Sequence, residues 1–273
     1  MKSENIFHVC FCTDKRLLQH IPVVLFSILR RNSDEQICIH IIHDIKEDYY
    51  FIPINDFIAK HDNLSLKRYH TEWKYEYSGL KHVTKATMLR LYIPLLIQVE
   101  RVLYLDVDVI VNASFSKIFP LETGDTGICM KNSIDKNWKL LVNENQAGNC
   151  GVMLMDLSLL REVNFTKQCL TLNELYKEHD QFIINLYCKG NHSILPSHLN
   201  IFFGQDDHLF EQKILEEKEF IFHYVGKMKP YNSYCRRFHY LWEDCKSKKN
   251  INRVVLSWLE KWVRKSSSFI LKL

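Results

Sequence analysis

The 273-residue sequence has few residues that interrupt regular structure and no clear export signal. It contains 8 glycines and 6 prolines against 47% hydrophobic residues, a composition typical of one large globular domain and not of a disordered chain. No window reaches about 18 uninterrupted apolar residues, so we expect no transmembrane helix. The start, MKSENIFHVCFCTDK, makes a poor signal peptide because His8 breaks its short apolar run.

The cysteines do not form a pattern that a disulfide framework or a zinc ribbon would need. There are nine of them, an odd number, and no pair has the CxxC spacing. The pattern predicts reduced thiols in a cytosolic protein and makes a structural zinc site improbable. The cysteines are Cys10, Cys12, Cys38, Cys129, Cys150, Cys169, Cys188, Cys235 and Cys245.

Charge is concentrated at the end of the chain. The net charge of +4 is too small to indicate nucleic-acid binding, but residues 246–273 carry eight basic residues against Glu260. This balance of +7 leaves −3 for residues 1–245. We therefore predict a main globular domain over 1–245 and a basic amphipathic tail over 246–273, which contains Trp258 and Trp262. The tail either contacts an anionic membrane surface or packs on the domain.

Short apolar runs alternate with segments of helical period, which predicts an α/β fold with a mainly parallel sheet. Ligands in such sheets bind where the strands end. The predicted strands cover 6–14, 37–44, 64–70, 101–112, 126–132 and 150–157. The predicted helices cover 21–32, 84–97, 165–178 and 180–189, and the segment 47–62 is expected to be partly helical.

Two carboxylates stand inside the apolar stretch RVLYLDVDVIVN at 101–112. If it is one strand, Asp106 and Asp108 share a face and Val107 points into the core on the other. Two buried like charges need a metal, a shared proton or an exit into solvent. Carboxylates favour hard cations such as Mg²⁺ or Mn²⁺, which commonly bind a diphosphate.

A later stretch, FHYVGKMKPYN at 222–232, adds a nitrogen donor and positive charge. His223 would favour manganese if it joined the two aspartates. Gly226 allows a phosphate to approach the backbone closely, and Lys227 or Lys229 can neutralise phosphate charge. A structural histidine followed by a glycine turn is the simpler reading of this stretch taken alone.

Several stretches in this order make the sequence resemble glycosyltransferase family 8 as far as about residue 240. The resemblance implies a GT-A fold, a nucleotide-diphosphate sugar donor, Mn²⁺, and transfer with retention of the anomeric configuration. The stretches are HVCFCTD, PVVLFSILRRN, ATMLRLYIP, VLYLDVDVIV, NCGVMLMDL, HDQFIIN, LPSHLNIF and HYVGKMKPY.

The resemblance also implies roles for single residues. Asp106, Asp108 and His223 match the metal ligands, with Val107 beside the donor between the two aspartates. Gly226 and Lys229 match the phosphate contacts of the family, so Lys229, more than Lys227, is expected to contact the β-phosphate and neutralise the leaving group. The remaining matches are Thr13 and Asp14 at the nucleoside, Arg90 at the donor, Asn149 and Gly151 at the donor sugar, and Asp180 and Gln181 beside the anomeric carbon.

The retaining reaction has two possible routes. Double displacement needs a nucleophile, and the neutral amide of Gln181 is a poor one. We favour substitution on one face, in which the leaving phosphate helps to deprotonate the acceptor and Asp180 orients sugar hydroxyls.

Two other interpretations stay open. A haloacid dehalogenase-like phosphatase would use Asp106 as nucleophile and Asp108 as acid and base with Mg²⁺, but its motif normally sits in the first strand. A catalytically silent GT-A scaffold would keep the fold without turnover. Within the favoured reading, the donor is UDP-galactose or UDP-glucose. The acceptor is a saccharide, expected to be a lipid-linked lipopolysaccharide core at the inner face of the cytoplasmic membrane.

Overall fold

A computed structural model describes residues 6–77, 84–133, 147–203, 219–226, 229–231 and 239–247. Its centre is a seven-stranded sheet, whose strands are β1 Phe7–Thr13, β2 Ile37–His43, β3 Leu64–His70, β4 Arg101–Leu105, β6 Ile128–Asn132, β7 Gly148–Asp156 and β8 Ser193–Ile194. They lie in the order β3-β2-β1-β4-β7-β6-β8. The first four strands run parallel, β7 runs antiparallel to both of its neighbours, and β8 runs parallel to β6. This arrangement confirms the prediction of an α/β fold with a mainly parallel sheet.

The bounds of the strands follow the apolar runs of the sequence closely. Every residue of β2, ICIHIIH, is buried, as expected for a strand covered on both faces, whereas β3 lies at the edge and exposes polar side chains.

A second sheet of three short strands lies beside the first. β10, Phe220–His223, is its central strand, antiparallel to β5, Val109–Asn112, and parallel to β9, Ile201–Phe202. The antiparallel register places His223 opposite Val109, next to Asp108. Two segments more than a hundred residues apart in sequence are therefore joined by backbone hydrogen bonds at this seam.

The predicted strand 101–112 is in fact two strands that belong to different sheets. β4 ends at Leu105 and β5 begins at Val109, so Asp106, Val107 and Asp108 form the turn between them. The prediction that both aspartates point from one face of a continuous strand is wrong. A reason lies in desolvation: a turn at the seam lets each carboxylate find its own polar partners, which a buried strand face does not provide.

The predicted helix 84–97 is also broken. It consists of α3, Lys85–Met88, a 3₁₀ turn over Leu89–Tyr92, and α4, Ile93–Leu96. Pro94 has no N–H to donate to the carbonyl four residues earlier, which interrupts an α-helical ladder across this point. The break leaves Arg90 in the tight turn, with its side chain facing the sheet.

The other helices cover the two faces of the sheet. None of the described helices is long and apolar enough to cross a membrane. They are α1 Ile21–Leu29, α2 Ile52–Ile58, α5 Phe115–Ile118, α6 Leu157–Glu162, α7 Phe165–Tyr176, α8 Asp180–Cys188 and α9 His239–Lys246. The predicted tail lies almost entirely outside the described residues, which end at Ser247.

Candidate active site

The turn between β4 and β5 holds two aspartates at the seam of the sheets. The backbone N–H of Asp106 donates to the carbonyl of Gly151 on β7 at 2.8 Å, and the carbonyl of Asp108 accepts from Tyr224 N–H at 3.1 Å. Val107 between them is 6% exposed and packs in the core, as predicted for a buried residue although it is not on a strand. Backbone hydrogen bonds from both sheets thus position the two carboxylates.

His223, the last residue of β10, completes a group of three possible metal ligands. Its Nε2 lies 3.7 Å from Oδ2 of Asp106 and 3.5 Å from Oδ1 of Asp108. Its Nδ1 lies 3.0 Å from Oδ1 of Asn200, which can accept a hydrogen bond and leave the lone pair of Nε2 facing the carboxylates.

The donor atoms of these three residues lie within 4.8 Å of one another. Two carboxylate oxygens and one imidazole nitrogen are ligands for a divalent cation such as Mn²⁺ or Mg²⁺. The residues therefore fit the predicted metal, although they do not select one of the two ions.

Gly151 provides the space for the imidazole of His223. A Cβ atom at position 151 would stand 2.0 Å from Cε1 and 2.8 Å from Nδ1 and Nε2 of that ring. Real Cβ atoms do not approach other atoms so closely, so any larger residue would displace His223. The sequence predicted close backbone approach at Gly151 toward a donor sugar, and the structure shows such an approach toward the imidazole of His223.

Asp108 is almost completely buried, with a side chain 4% exposed, yet its charge is balanced. Nζ of Lys229 forms an ion pair with it and donates a second hydrogen bond to the carbonyl of Tyr224 at 3.1 Å. Burial alone would raise the pKa of Asp108, but the charge of Lys229, with smaller contributions from the neighbouring His223 and from the hydrogen bond of Lys229, holds that pKa well below its ordinary value. Asp108 is therefore an anion at neutral pH.

Arg90 links the aspartates of two separate segments. Its side chain is 4% exposed, and its guanidinium contacts Asp180 at 2.8 Å and Asp106 at 3.0 Å, and donates to the carbonyl of Cys150 at 2.7 Å. Burial alone would lower the pKa of Arg90, but the carboxylates of Asp180 and Asp106 contribute to raising it well above its ordinary value. Arg90, predicted to contact the donor, is in this structure the cation that holds both carboxylates.

A chain of amides joins α8 to the metal-ligand group. Oε1 of Gln181 accepts hydrogen bonds from Cys150 N–H at 3.1 Å and from Nδ2 of Asn149 at 3.3 Å. Oδ1 of Asn149 in turn accepts from Gly151 N–H at 3.0 Å and from Asn200 at 3.1 Å. The structure therefore brings Asn149 and Gln181 together with the residues around His223.

The predicted nucleoside residues lie at the end of β1, beside a separate cavity. Asp14 lines a cavity of about 400 Å³ together with Lys15, Arg16 and residues 44–47. Thr13 is completely buried and its hydroxyl donates to the carbonyl of Asp14 at 3.1 Å, so it offers no exposed surface to a ligand. Of this pair, Asp14 is the residue in a position to contact a bound molecule.

The segment after β10 contains the remaining predicted residues. Gly226 has a φ of 70°, a left-handed conformation that other residues adopt only with strain. Tyr231 stacks on His20, with ring centroids 4.1 Å apart and planes within 8°. Lys227 lies outside the described residues.

Three residues of the site were not predicted from the sequence. Tyr104 donates a hydrogen bond of 2.6 Å to Asp106 and places its ring 4.6 Å from the guanidinium of Arg90. Asn200 and His20 make the contacts described above. Only Tyr104 had a usable signal, because it lies two residues before Asp106 in the predicted strand 101–112, and alternation directs residues two apart to the same face.

Comparison with known protein families gives one match that covers most of the chain. The model of glycosyl transferase family 8 matches residues 8–235. Glycosyltransferase GlyE from Streptococcus pneumoniae is 26% identical over 242 residues, which are 83% of this chain and 57% of GlyE. Lipopolysaccharide 1,2-glucosyltransferase from Escherichia coli K12 is 22% identical over 254 residues, which are 86% of this chain and 75% of the relative. The chain thus spans little more than half of GlyE.

Solved structures show the same fold. The galactosyltransferase LgtC, crystallised with donor and acceptor sugar analogues, superposes with a TM-score of 0.73 at 19% identity over 88% of this chain and 96% of LgtC. The apo form of GlyE gives a TM-score of 0.69 at 23% identity over 96% of this chain and 64% of GlyE. These likenesses confirm the expected GT-A fold, and the family match confirms the resemblance found in the sequence. The chain belongs to glycosyl transferase family 8.

Proposed function

We propose that the protein transfers galactose or glucose from a UDP-sugar to a saccharide acceptor, with retention of configuration and with Mn²⁺ as its metal, Mg²⁺ being the alternative. The observation that carries the proposal is the buried group of Asp106, Asp108 and His223 at the seam of the two sheets, in a chain of this family. The glucosyltransferase and galactosyltransferase among its similar proteins support the choice of a hexose.

The metal ligands would be Asp106, Asp108 and Nε2 of His223. A bound divalent ion supplies Lewis-acid neutralisation of the negative charge on the donor diphosphate. Asn200 keeps the ring of His223 in the orientation that ligation needs, and Gly151 leaves room for that ring.

Lys229 would carry the second positive charge of the phosphate site. Its ammonium group already lies at Asp108, and its side chain is 21% exposed, so it is reachable from the solvent side. Gly226, three residues before Lys229, turns the backbone through its left-handed conformation. A cation at this position stabilises the charge that develops on the departing phosphate, which is the main electrostatic task of the transfer.

The residues near the metal ligands favour substitution on one face of the sugar. Asp180 is a poor nucleophile because its side chain is 4% exposed and is paired with Arg90. Gln181 is a neutral amide whose oxygen already accepts two hydrogen bonds. In the proposed step the bond from C1 to the β-phosphate breaks, the acceptor oxygen bonds to C1 on the same face, and the acceptor proton moves to the departing phosphate.

We propose a lipid-linked saccharide, such as a lipopolysaccharide core, as the acceptor, reached from the cytoplasmic side. The support is the sequence of the tail, residues 246–273, with its balance of +7, and the similarity to a lipopolysaccharide glucosyltransferase. Peripheral contact of the tail with an anionic membrane remains part of this proposal.

The test is a donor screen with Mn²⁺ and a panel of saccharide acceptors. UDP release would be measured for UDP-galactose and UDP-glucose, with water alone as the acceptor control, and the anomeric configuration of the product would be read by NMR. We expect acceptor-dependent UDP release with retention. Phosphate release from sugar phosphates without turnover of a UDP-sugar would support a phosphatase instead, and no metal-dependent affinity for UDP would support a silent scaffold.

A further inference from the structure

A second group of metal-ligating side chains lies in the amino-terminal half of β1 and β2, away from the end of the strands that carries the candidate active site. In the parallel register of these strands, His8 pairs with Cys38 and Cys10 pairs with His40. Neighbouring residues in a sheet project from the same face, and so do residues two apart along one strand. His8, Cys38 and His40 therefore share one face of the sheet.

The side chains of these three residues converge. Nδ1 of His8 lies 3.0 Å from Nε2 of His40, and one ligand atom from each of His8, Cys38 and His40 lies within 4.8 Å of the other two. Cys38 and His40 are buried, and His8 is half-buried. A cation could reach the group past His8 and would there meet two nitrogens and one sulfur.

The orientation of His40 is fixed by a residue outside the group. Nδ1 of His40 lies 3.0 Å from the hydroxyl of Tyr69 on β3. When Nδ1 donates its proton to this hydroxyl, Nε2 presents its lone pair toward His8 and Cys38. A hydrogen bond of this kind to the second ring nitrogen is a regular feature of metal-ligating histidines.

We propose that His8, Cys38 and His40 form a binding site for Zn²⁺, separate from the Asp106, Asp108 and His223 group. Thiolate and imidazole ligands suit zinc, whereas Mg²⁺ prefers oxygen ligands. The fourth ligand would be a water molecule on the side of His8. Binding would move the proton between the two imidazoles to Nε2 of His8, so that both facing nitrogens carry lone pairs, and would release the proton of the Cys38 thiol to solvent.

The site would tie the first two strands of the sheet together. Lys67 on β3 pairs with His40 in register, and its positive charge opposes a dication at this place.

The cysteine spacing of the sequence did not indicate this group, because that argument considers only ligands close together along the chain. Here the ligands come from two strands separated by a helix and have no characteristic spacing.

Cobalt is the probe that separates the two candidate metal sites. Co²⁺ bound to a thiolate gives a charge-transfer absorption band, and only the group with Cys38 contains a sulfur. We expect titration of the full chain with Co²⁺ to produce this band with one equivalent bound, and added Zn²⁺ to abolish it. The band should be lost in Cys38→Ser and His8→Gln and kept in Cys129→Ser, which removes an equally buried thiol from β6.

Thermal stability provides the second measurement. Zn²⁺ at a hundredfold excess over its dissociation constant should raise the Tm of Asp108→Asn, in which the other site is impaired, by about 5 to 10 °C. The shift should vanish when His8→Gln, at the half-buried position least needed for folding, is added. Tyr69→Phe should weaken zinc binding about tenfold or more, by freeing His40.

Three results would overturn the proposal. They are the absence of the thiolate band in the wild type at saturating Co²⁺, persistence of the band in Cys38→Ser, and an equal Zn²⁺-induced rise in Tm with and without His8→Gln.

Discussion

The two groups of metal-ligating residues are built in opposite ways. At the carboxyl end of β4, the aspartates are charged and each has a cation beside it, Arg90 at Asp106 and Lys229 at Asp108. In the amino half of β1 and β2, burial lowers the pKa of His8, and lowers that of His40 to about 3, so both imidazoles are neutral. The group of Asp106, Asp108 and His223 is therefore an ionic group, and the group of His8, Cys38 and His40 is a neutral group.

The difference shows how a buried sheet can hold polar side chains. Buried charges require partners, and removal of one partner leaves the other charge uncompensated. Neutral imidazoles need only hydrogen bonds, such as those between His8, His40 and Tyr69. Removal of a charged side chain should therefore destabilise the ionic group. Protonation of a buried imidazole should destabilise the neutral group.

Asp108→Asn should break the ionic group with the largest effect. It removes a proposed metal ligand and the partner of Lys229, so we expect Mn²⁺-dependent sugar transfer to fall by about a hundredfold to a thousandfold. Transfer rates would be compared with those of Asp125→Asn, a change at an exposed aspartate. Rates within twofold of the wild type for Asp108→Asn would contradict its assignment as a metal ligand.

Arg90→Gln should destabilise the fold itself. It leaves Asp180, with a side chain 4% exposed, without its cation, and we expect the free energy of unfolding to fall by about 3 kcal/mol. The control is Arg68→Gln, whose partner Asp48 is 89% exposed, with an expected loss below about 1 kcal/mol. Denaturant unfolding measures both, and equal losses would refute the distinction between buried and exposed pairs.

Gly151→Ala should affect metal binding through His223. The added Cβ would overlap the imidazole, and we expect Mn²⁺ affinity to fall about tenfold to a hundredfold. Gly148→Ala is the matched control on the same strand, because its Cβ would come within 2.4 Å of the flexible side chain of Met130. It should cost stability and leave Mn²⁺ affinity unchanged. Similar affinities for both variants would show that the contact with His223 is irrelevant.

Acidification should destabilise the fold first through the buried histidines of β2, His40 of the neutral group and His43 near it on the same strand. The pKa of His40 is lowered to about 3 and that of His43 to about 4 by burial, from an ordinary value of 6.5. The unfolded chain therefore binds these protons first, and stability that is complete above pH 6.5 is lost as the pH falls toward 4. We expect a loss on the order of 1 to 2 kcal/mol per histidine.

The ionic group responds at lower pH. The pKa of Asp108 is held below its ordinary value of 3.8, so its contribution is complete above that value and is lost only as the pH falls further. Urea unfolding between pH 7 and pH 4 measures the loss of stability through the buried histidines. The variant His43→Gln should reduce the slope of the free energy of unfolding against pH. An unchanged slope in that variant would remove His43 from the explanation.

Much of the fold and part of the site could be predicted from the order of residues. The alternation of apolar runs located the strands of the large sheet except the two-residue β8, and the Asp-x-Asp and His-x-x-Gly stretches identified three residues that the structure brings together. The prediction failed where the chain leaves a regular element, at Leu105 and at Pro94. The periodicity of apolar residues along the chain does not reveal that a strand passes from one sheet to another. It also does not reveal that a helix is interrupted at the point where Arg90 is buried.

The sequence by itself determined which chemical groups were available and which strands would carry them, because side-chain alternation and hydrophobic periodicity are local properties of the chain. Only the tertiary structure decided which groups meet. Asn200 beside His223, Gly151 beneath its ring, Arg90 between Asp106 and Asp180, and His8 beside Cys38 all depend on pairing between distant segments. The physical reason is that strand register and burial, which place these side chains, are settled by the packing of the whole sheet.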